Sequence, residues 1–256
     1  MGNLFDLTGQ VAVVTGSSRG IGKAIAHRMA EHGAHVVVSS RKADACEAAV
    51  AEINAAVGRA AAVACPANIS SKDDLARLAR FALDRFGKVT ALVCNAASNP
   101  YFGPMAGISD EQFTKILMNN VVSNHWLIGL LAPQMLERGE GSITLVSSIG
   151  AFRGSTVIGA YNVSKAADLQ LVRNYAAEFG PRGVRVNAIC PGLVKTDFAR
   201  ALWENPAILE QAVAGSCLKR IGQPDEIAGM AVFLAAPAGA FTTGQALIVD
   251  GGAMAV

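Results

Sequence analysis

The sequence has little charge and no long uninterrupted apolar run. Of its 256 residues, 16% are Asp, Glu, Lys or Arg, 52% are hydrophobic, and the formal net charge is +2. So apolar a chain can bury a core, which argues against disorder. The charge balance is too mild for a nucleic-acid footprint, and no Lys/Arg stripe is visible. The longest apolar stretch, 227–241, is interrupted by Pro237 and is too short to span a bilayer. Cysteine is sparse: Cys46, Cys65, Cys94, Cys190 and Cys217 are odd in number, scattered and without a CxxC. That argues against a disulfide framework or a zinc site. It leaves five small buried hydrophobes and points to a reducing, cytoplasmic setting. The first ten residues carry Asp6 and lack the basic end and apolar run of a secretory leader. His27, His32, His35 and His125 have no metal-ligand spacing and join no Ser–His–Asp set, so no metal and no hydrolase chemistry is expected.

What the sequence does have is alternation. Short apolar runs at 11–15, 36–39, 61–65, 91–94, 142–147, 184–190 and 246–249 read as strands. Between them, 21–32, 44–57, 71–85, 160–179 and 225–234 have helical spacing. The segment 109–138 reads as one long helix or two joined, kinked near Pro133. Strands alternating with helices predict a single α/β domain spanning 1–256: a Rossmann-type, doubly wound parallel sheet with helices on both faces. No linker or repeat divides it.

Gly16, Gly20 and Gly22 fall between the first strand and the first helix, within Gly16-Ser17-Ser18-Arg19-Gly20-Ile21-Gly22. Glycines there let the backbone turn tightly and approach a pyrophosphate seated on the helix N-terminus. Any tight strand–helix turn can use glycine, so position gives the motif its force. The end of the second strand discriminates between dinucleotides. An NAD site wants a carboxylate for the ribose hydroxyls. Here Ser40, Arg41 and Lys42 stand in its place, and Arg19 adds a cation from the glycine turn. Cations and hydroxyls suit a 2′-phosphate that a carboxylate would repel, so NADP(H) is expected over NAD(H).

Ser148 lies thirteen residues before Tyr161, and Tyr161-Asn162-Val163-Ser164-Lys165 gives a Y-x3-K pair. With the glycine turn, these residues resemble the short-chain dehydrogenase/reductase family over nearly the whole chain. Asn95-Ala96-Ala97 is similar to the family's N-A-G motif, with Ala97 for the usual glycine. Asn120, the loop Pro191-Gly192-Leu193-Val194-Lys195-Thr196 and the run Val249-Asp250-Gly251-Gly252 also match. Asn68 stands where the family often has an aspartate beside the adenine, followed by Ile69. Within the family, the segments around Ser40 and around Asn95–Gly103 resemble the NADPH-dependent carbonyl and retinal reductases of the member-4 type.

The resemblance implies a catalytic set of Asn120, Ser148, Tyr161 and Lys165. Tyr161 and Lys165 are four apart and share a helix face. An ammonium there should pull the phenol below its ordinary value, letting Tyr161 exchange a proton with a carbonyl or alcohol oxygen. By resemblance, Lys165 also binds the nicotinamide ribose, Ser148 orients the reacting oxygen, and Asn120 holds a water that relays protons from Lys165. Pro191, Gly192, Val194 and Thr196 would complete the cofactor site. Substrate residues belong on loops at the carboxyl ends of the strands, where Tyr101, Phe102, Phe152, Phe198, Leu202 and Trp203 make an apolar, aromatic set. They suit an apolar ketone or aldehyde, under a mobile lid at about 195–217. The resemblance also implies a homotetramer. Two alternatives stay open: reduction of a 3-oxoacyl thioester on an acyl carrier protein, and a non-catalytic NADP(H)-sensing protein.

Overall fold

The computed structural model describes residues 2–255; Met1 and Val256, the outermost residues of the expected domain, lie outside the described residues. Successive strand residues point to opposite faces of a sheet. In β1 (Val11–Thr15), Val11 and Val13 enter one buried apolar cluster while Ala12 and Val14 enter another. Strands buried on both sides read as continuous apolar runs and need helices over each face. The chain supplies them: α1 (Gly20–Glu31), β2 (His35–Ser39), α2 (Ala43–Val57), β3 (Ala62–Ala64), α3 (Lys72–Phe86) and β4 (Ala91–Cys94), then α4 (Asp110–Leu117), α5 (Ser123–Arg138) and β5 (Gly141–Val146). The remainder is α6 (Gly159–Phe179), β6 (Val184–Pro191), α7 (Pro206–Val213), α8 (Pro224–Ala235) and β7 (Ala246–Val249).

The seven strands are all parallel, in the order β3-β2-β1-β4-β5-β6-β7. Leu75 and Leu78 of α3, Leu127 and Leu131 of α5, and Leu169 and Val172 of α6 cover one face. Ile25 and Met29 of α1, Ile53 of α2, and Ile227 and Val232 of α8 cover the other. After β3 the chain crosses to the far side of β1, so strand order reverses between β1 and β4. A crevice opens there at the carboxyl ends of the strands.

Two expectations need correcting, on the kink at Pro133 and on the cysteines, and one helix was not foreseen. The stretch 109–138 departs from α-helix at Met118–Val122, a π-helical turn, rather than at Pro133, which lies inside α5. Pro133 and Gly129, whose carbonyl the proline deprives of a donor, are both exposed, so water can satisfy the freed group. Residues 206–213 form α7, started by Pro206 and capped by Asn205, within the segment read as a lid. Of the five cysteines, four are buried, but Cys217 is exposed on a loop. Among the described residues, no helix is long and apolar enough to cross a membrane.

Candidate active site

The crevice at the β1/β4 reversal is a cleft of about 1080 Å³, large for a small-molecule site. Its floor is the β1–α1 turn. Thr15 Oγ1 accepts from the backbone N–H of Asn95 and of Ala96, each at 3.1 Å, and Asn95 Nδ2 donates back to Thr15 O at 2.9 Å and Gly16 O at 3.1 Å. That stitching leaves no room for side chains. Gly16 has φ +66°, and a Cβ on Gly22 would lie 2.4 Å from both Asn95 Nδ2 and Gly16 O. Ser17 ties the turn to β2: its hydroxyl donates to Val14 O and accepts from Ser39 N–H. The first turn of α1 has neither a capping side chain nor an acid, so its amides are available to an anion. Ser18, Arg19, Gly20 and Ile21 line the cleft here.

Ser40, Arg41 and Lys42 line the cleft beyond β2, as does Asp44 from the first turn of α2. Arg19 donates to Asp197 Oδ2 at 3.1 Å, so this cation is paired with the segment over the cleft. Asn68 and Ile69 form the adjoining wall; Asn68 Oδ1 accepts from Ser70 N–H, which leaves its second lone pair. Asn95, Ala96, Ala97, Pro191, Gly192, Val194 and Thr196 line the opposite side. The residues present therefore fit a nicotinamide dinucleotide: a cradle a Cβ would fill, uncapped helix amides, and cations at one end.

Ser148, Tyr161 and Lys165 converge on the other end of the cleft. Tyr161 and Lys165 stand one turn apart on α6, with Nζ 5.7 Å from the phenol ring centroid. Ser148 follows β5, and its hydroxyl accepts from Gly150 N–H at 3.0 Å. Ser147 also lines the cleft, but its hydroxyl is committed to Lys165 O, to which it donates at 2.8 Å. Burial pushes the Tyr161 phenol up; Lys165 pulls it down, Asp168 pushes it up again, and hydrogen bonding to Ser148 pulls it down. The net direction is upward, against the lowering expected from Lys165 alone, because the phenol sits in protein and the lysine has an acidic neighbour. Burial would discharge the Lys165 ammonium, but Asp168 first, with Tyr161 and Cys190, offsets this and holds it above its ordinary value.

Asn120 sits behind the cleft, fully buried. Its Oδ1 accepts from Ser98 N–H at 2.8 Å, and its Nδ2 donates to Ser98 O and Ser164 Oγ, each at 3.0 Å. This side chain pins the loop after β4 to α6 and does not reach Lys165. Asn119 is the neighbour that lines the cleft.

Of the apolar and aromatic loop residues, Phe198 and Leu202 line the cleft, and the Phe198 ring lies 5.8 Å from that of Tyr161. Tyr101, Phe102, Phe152 and Trp203 do not line it. Tyr101 donates its hydroxyl to Pro104 O within its own loop, and Trp203 donates Nε1 to Thr196 O, with Lys195 over its ring. Phe102 and Phe152 are exposed.

A family model described as Enoyl-(Acyl carrier protein) reductase matches residues 16–254. The rabbit (Oryctolagus cuniculus) protein "Dehydrogenase/reductase SDR family member 4" is 40% identical over 247 residues, 96% of this chain and 94% of that protein. The chain belongs to the short-chain dehydrogenase/reductase family. Its Bos taurus member-4 relative is 42% identical over 97% of this chain and 88% of that one. A 7α-hydroxysteroid dehydrogenase solved with NADH and 7-oxo glycochenodeoxycholic acid is 38% identical, covering 98% of each chain at a TM-score of 0.93. A structure from Beutenbergia cavernae with NADP at low occupancy is 35% identical at the same TM-score, covering 99% of this chain and 100% of that one. As a short-chain dehydrogenase/reductase, this protein is an oxidoreductase acting between CH–OH and C=O with a nicotinamide cofactor.

Three residues of this short-chain dehydrogenase/reductase site escaped the sequence reading. Asp168 adjoins Lys165 and Asn124 adjoins Asp168, both without facing solvent, and Asn162 lines the cleft beside the expected loop residues Arg153 and Ile158. The signal for Asp168 was available: an acid three residues after the lysine, on the apolar stripe that carries Leu169 and Val172. Asn162 Oδ1 is buried at the reacting end with no hydrogen-bond partner among the described residues.

Proposed function

We propose that this protein reduces apolar or aromatic ketones and aldehydes with NADPH. The observation that carries the reading is one cleft with a serine, a tyrosine and a lysine at one end and Arg41 and Lys42 at the other, where β2 ends without a carboxylate. When bound, the nicotinamide nucleotide supplies the hydride exchanged with the substrate carbon. Tyr161 gives its proton to the carbonyl oxygen, and Ser148 hydrogen-bonds that oxygen and orients it. Lys165 holds the nicotinamide ribose and stabilises the phenolate left behind. Asn120 braces the loop after β4 against α6. Arg41, Lys42 and Ser40 receive the 2′-phosphate, and Arg19 joins them when it leaves Asp197. Phe198 and Leu202, on the lid at about 195–217, give the cleft its apolar wall.

The assay is NADPH oxidation with aryl ketones, α-dicarbonyls, retinal and 3-oxoacyl thioesters. Turnover of the apolar ketones and aldehydes is expected. Tight NADPH binding with no turnover of any of them would refute the reading and favour a sensing role. Turnover confined to the 3-oxoacyl thioesters would favour the second reading. Two observations support that one: Arg153 lines the cleft with no ion-pair partner among the described residues, and the matching family model is named for acyl carrier protein substrates.

The protein is further proposed to work in the cytoplasm as a homotetramer, burying exposed apolar residues such as Val163 of α6. A monomeric mass by light scattering would refute the assembly.

A further inference from the structure

Lys165 does not face the cleft alone. Its side chain is buried, and so is Asp168 one turn along α6. Nζ donates to Asp168 Oδ2 at 3.0 Å and to Val146 O at 2.9 Å. An ammonium has three donors, so one remains for the cleft that Lys165 lines. The other carboxylate oxygen, Oδ1, accepts from Asn124 Nδ2 at 3.1 Å, and the same amide donates to Asn120 O at 2.7 Å. Both oxygens of Asp168 are thus met by N–H donors, the arrangement that favours an ionised carboxyl. Seen from the Tyr161 phenol, the lysine is a cation with an anion attached. A lone buried ammonium would draw the phenol strongly toward phenolate, and the pair draws it far less.

We infer that Asp168 is a positioning residue for proton transfer: held by Asn124, its carboxylate fixes Lys165 and opposes the lysine's pull on Tyr161, so that together with burial it keeps the phenol protonated through the neutral range and sets the site to give a proton to a carbonyl oxygen. This rests on the proposed role of Tyr161 as the proton donor. No other charge competes among the described groups around the pair. Cys94 of β4 and Cys190 of β6 are thiols that burial pushes up, Cys190 to about 11, so both are neutral. Ser147 and Ser148 after β5, Asn124 of α5 and the Phe198 ring over the cleft carry no charge.

The chain has three tyrosines, Tyr101, Tyr161 and Tyr175. The ultraviolet phenolate band of the full-length protein, less that of Tyr161→Phe, therefore titrates Tyr161 without any turnover. The wild-type midpoint should lie at or above the ordinary phenol value of about 10. Asp168→Asn should lower it by about one to two pH units, as expected for removing a unit charge several ångströms away at an effective dielectric of about 20. Asp168→Glu should restore most of the shift, and the basic limb of the pH profile for carbonyl reduction should move with the midpoint. A wild-type midpoint below the ordinary value, or one that Asp168→Asn leaves in place, overturns the inference. If Asp168→Asn does not fold, Asp168→Ser is titrated in its place and should show the same fall, since burial also raises the wild-type midpoint. A high, Asp168-dependent midpoint in a protein that turns over no carbonyl compound would uphold the electrostatic role and sink the proposed function instead.

Discussion

Replacing Lys165 by Met should destabilise the protein in a way that depends on pH. The side chain it removes is 2% exposed, and the carboxylate it leaves behind is fully buried. Breaking a buried pair from one side typically costs about 3–5 kcal/mol, because a charge remains without its partner. Protonation sets the ceiling. Asp168 can escape the penalty by taking up a proton; from an ordinary value of 3.8 that costs about 1.4 kcal/mol per pH unit, or roughly 4 kcal/mol at neutral pH. In a chain of this size the melting temperature should fall by on the order of 10 °C. The sign follows from linkage. Without Lys165 the folded-state value of Asp168 rises further above its unfolded value, so the folded state holds a proton that the unfolded state releases. Stability is then greatest below the unfolded value and is lost as pH rises through the folded one. Melting curves of wild type and Lys165→Met should therefore lie closest near pH 4 and separate toward neutrality. Lys165→Met combined with Asp168→Leu removes both charges and should recover most of the loss at neutral pH, while remaining inactive. A deficit that is flat across this range, or a double variant no more stable than the single one, would show that the penalty is lost packing rather than an orphaned charge.

Tyr161→Phe should keep NADPH affinity within a few-fold and lower kcat by at least about a hundredfold, the usual worth of a positioned proton donor; fluorescence titration beside steady-state kinetics checks both, and retained turnover refutes the acid role. Arg41→Asp should shift preference from NADPH toward NADH, read as the ratio of kcat/KM for the two; an unchanged ratio means that the end of β2 does not select the cofactor. Gly22→Ala should cost about 1–3 kcal/mol through overpacking and weaken nucleotide binding, since the new Cβ meets Asn95 Nδ2 and Gly16 O at 2.4 Å; a wild-type melting temperature and Kd would contradict the packing argument. Glu226 accepts from Arg220 and from Gln223 N–H, which hold its carboxyl down at about 2. Its stabilisation is present above the ordinary 4.5 and fades as pH falls toward that lowered value, so Glu226→Gln should lower the melting temperature near neutrality and converge with wild type in acid.

The sheet was legible because strands buried on both faces leave unbroken apolar runs such as Val11–Val14 and Val36–Val38, which short hydrophilic turns delimit. The glycine turn was legible for a different reason: close backbone approach excludes side chains, and the exclusion is written as residue type. The π-helical turn at Met118–Val122 has no comparable signature. Pro133 is the stronger local breaker, yet solvent at its position tolerates it. Asp168 was missed because an acid in a helix ordinarily faces water, and only the fold reveals that its partners are Lys165 and Asn124. The aromatic loops misled in part. Tyr101, Phe102, Phe152 and Trp203 occupy loops at the correct edge of the sheet, but sequence does not say which way a loop side chain turns. The pull of Lys165 on Tyr161 was read correctly in sign and wrongly in net effect, since burial is invisible until the surroundings are built.

The π-helical turn between α4 and α5 is a phase shift. Each residue of an α-helix advances the side chain by about 100°. The wide turn at 118–122 absorbs extra chain, so the stripe on α5 that carries Leu127, Leu131 and Met135 is out of step with the buried Ile116 of α4. Asn120 lies inside that turn, and Asn124 lies one turn on, in α5. A one-residue deletion at Val121 would let the segment relax to regular helix; the leucine stripe and Asn124, both on α5, would stay or move together, and what changes is the spacing of Asn124 from Asn120 and the Nδ2–O bond that joins them. The length of the chain between Asn120 and Asn124 therefore carries information that no substitution scan would detect.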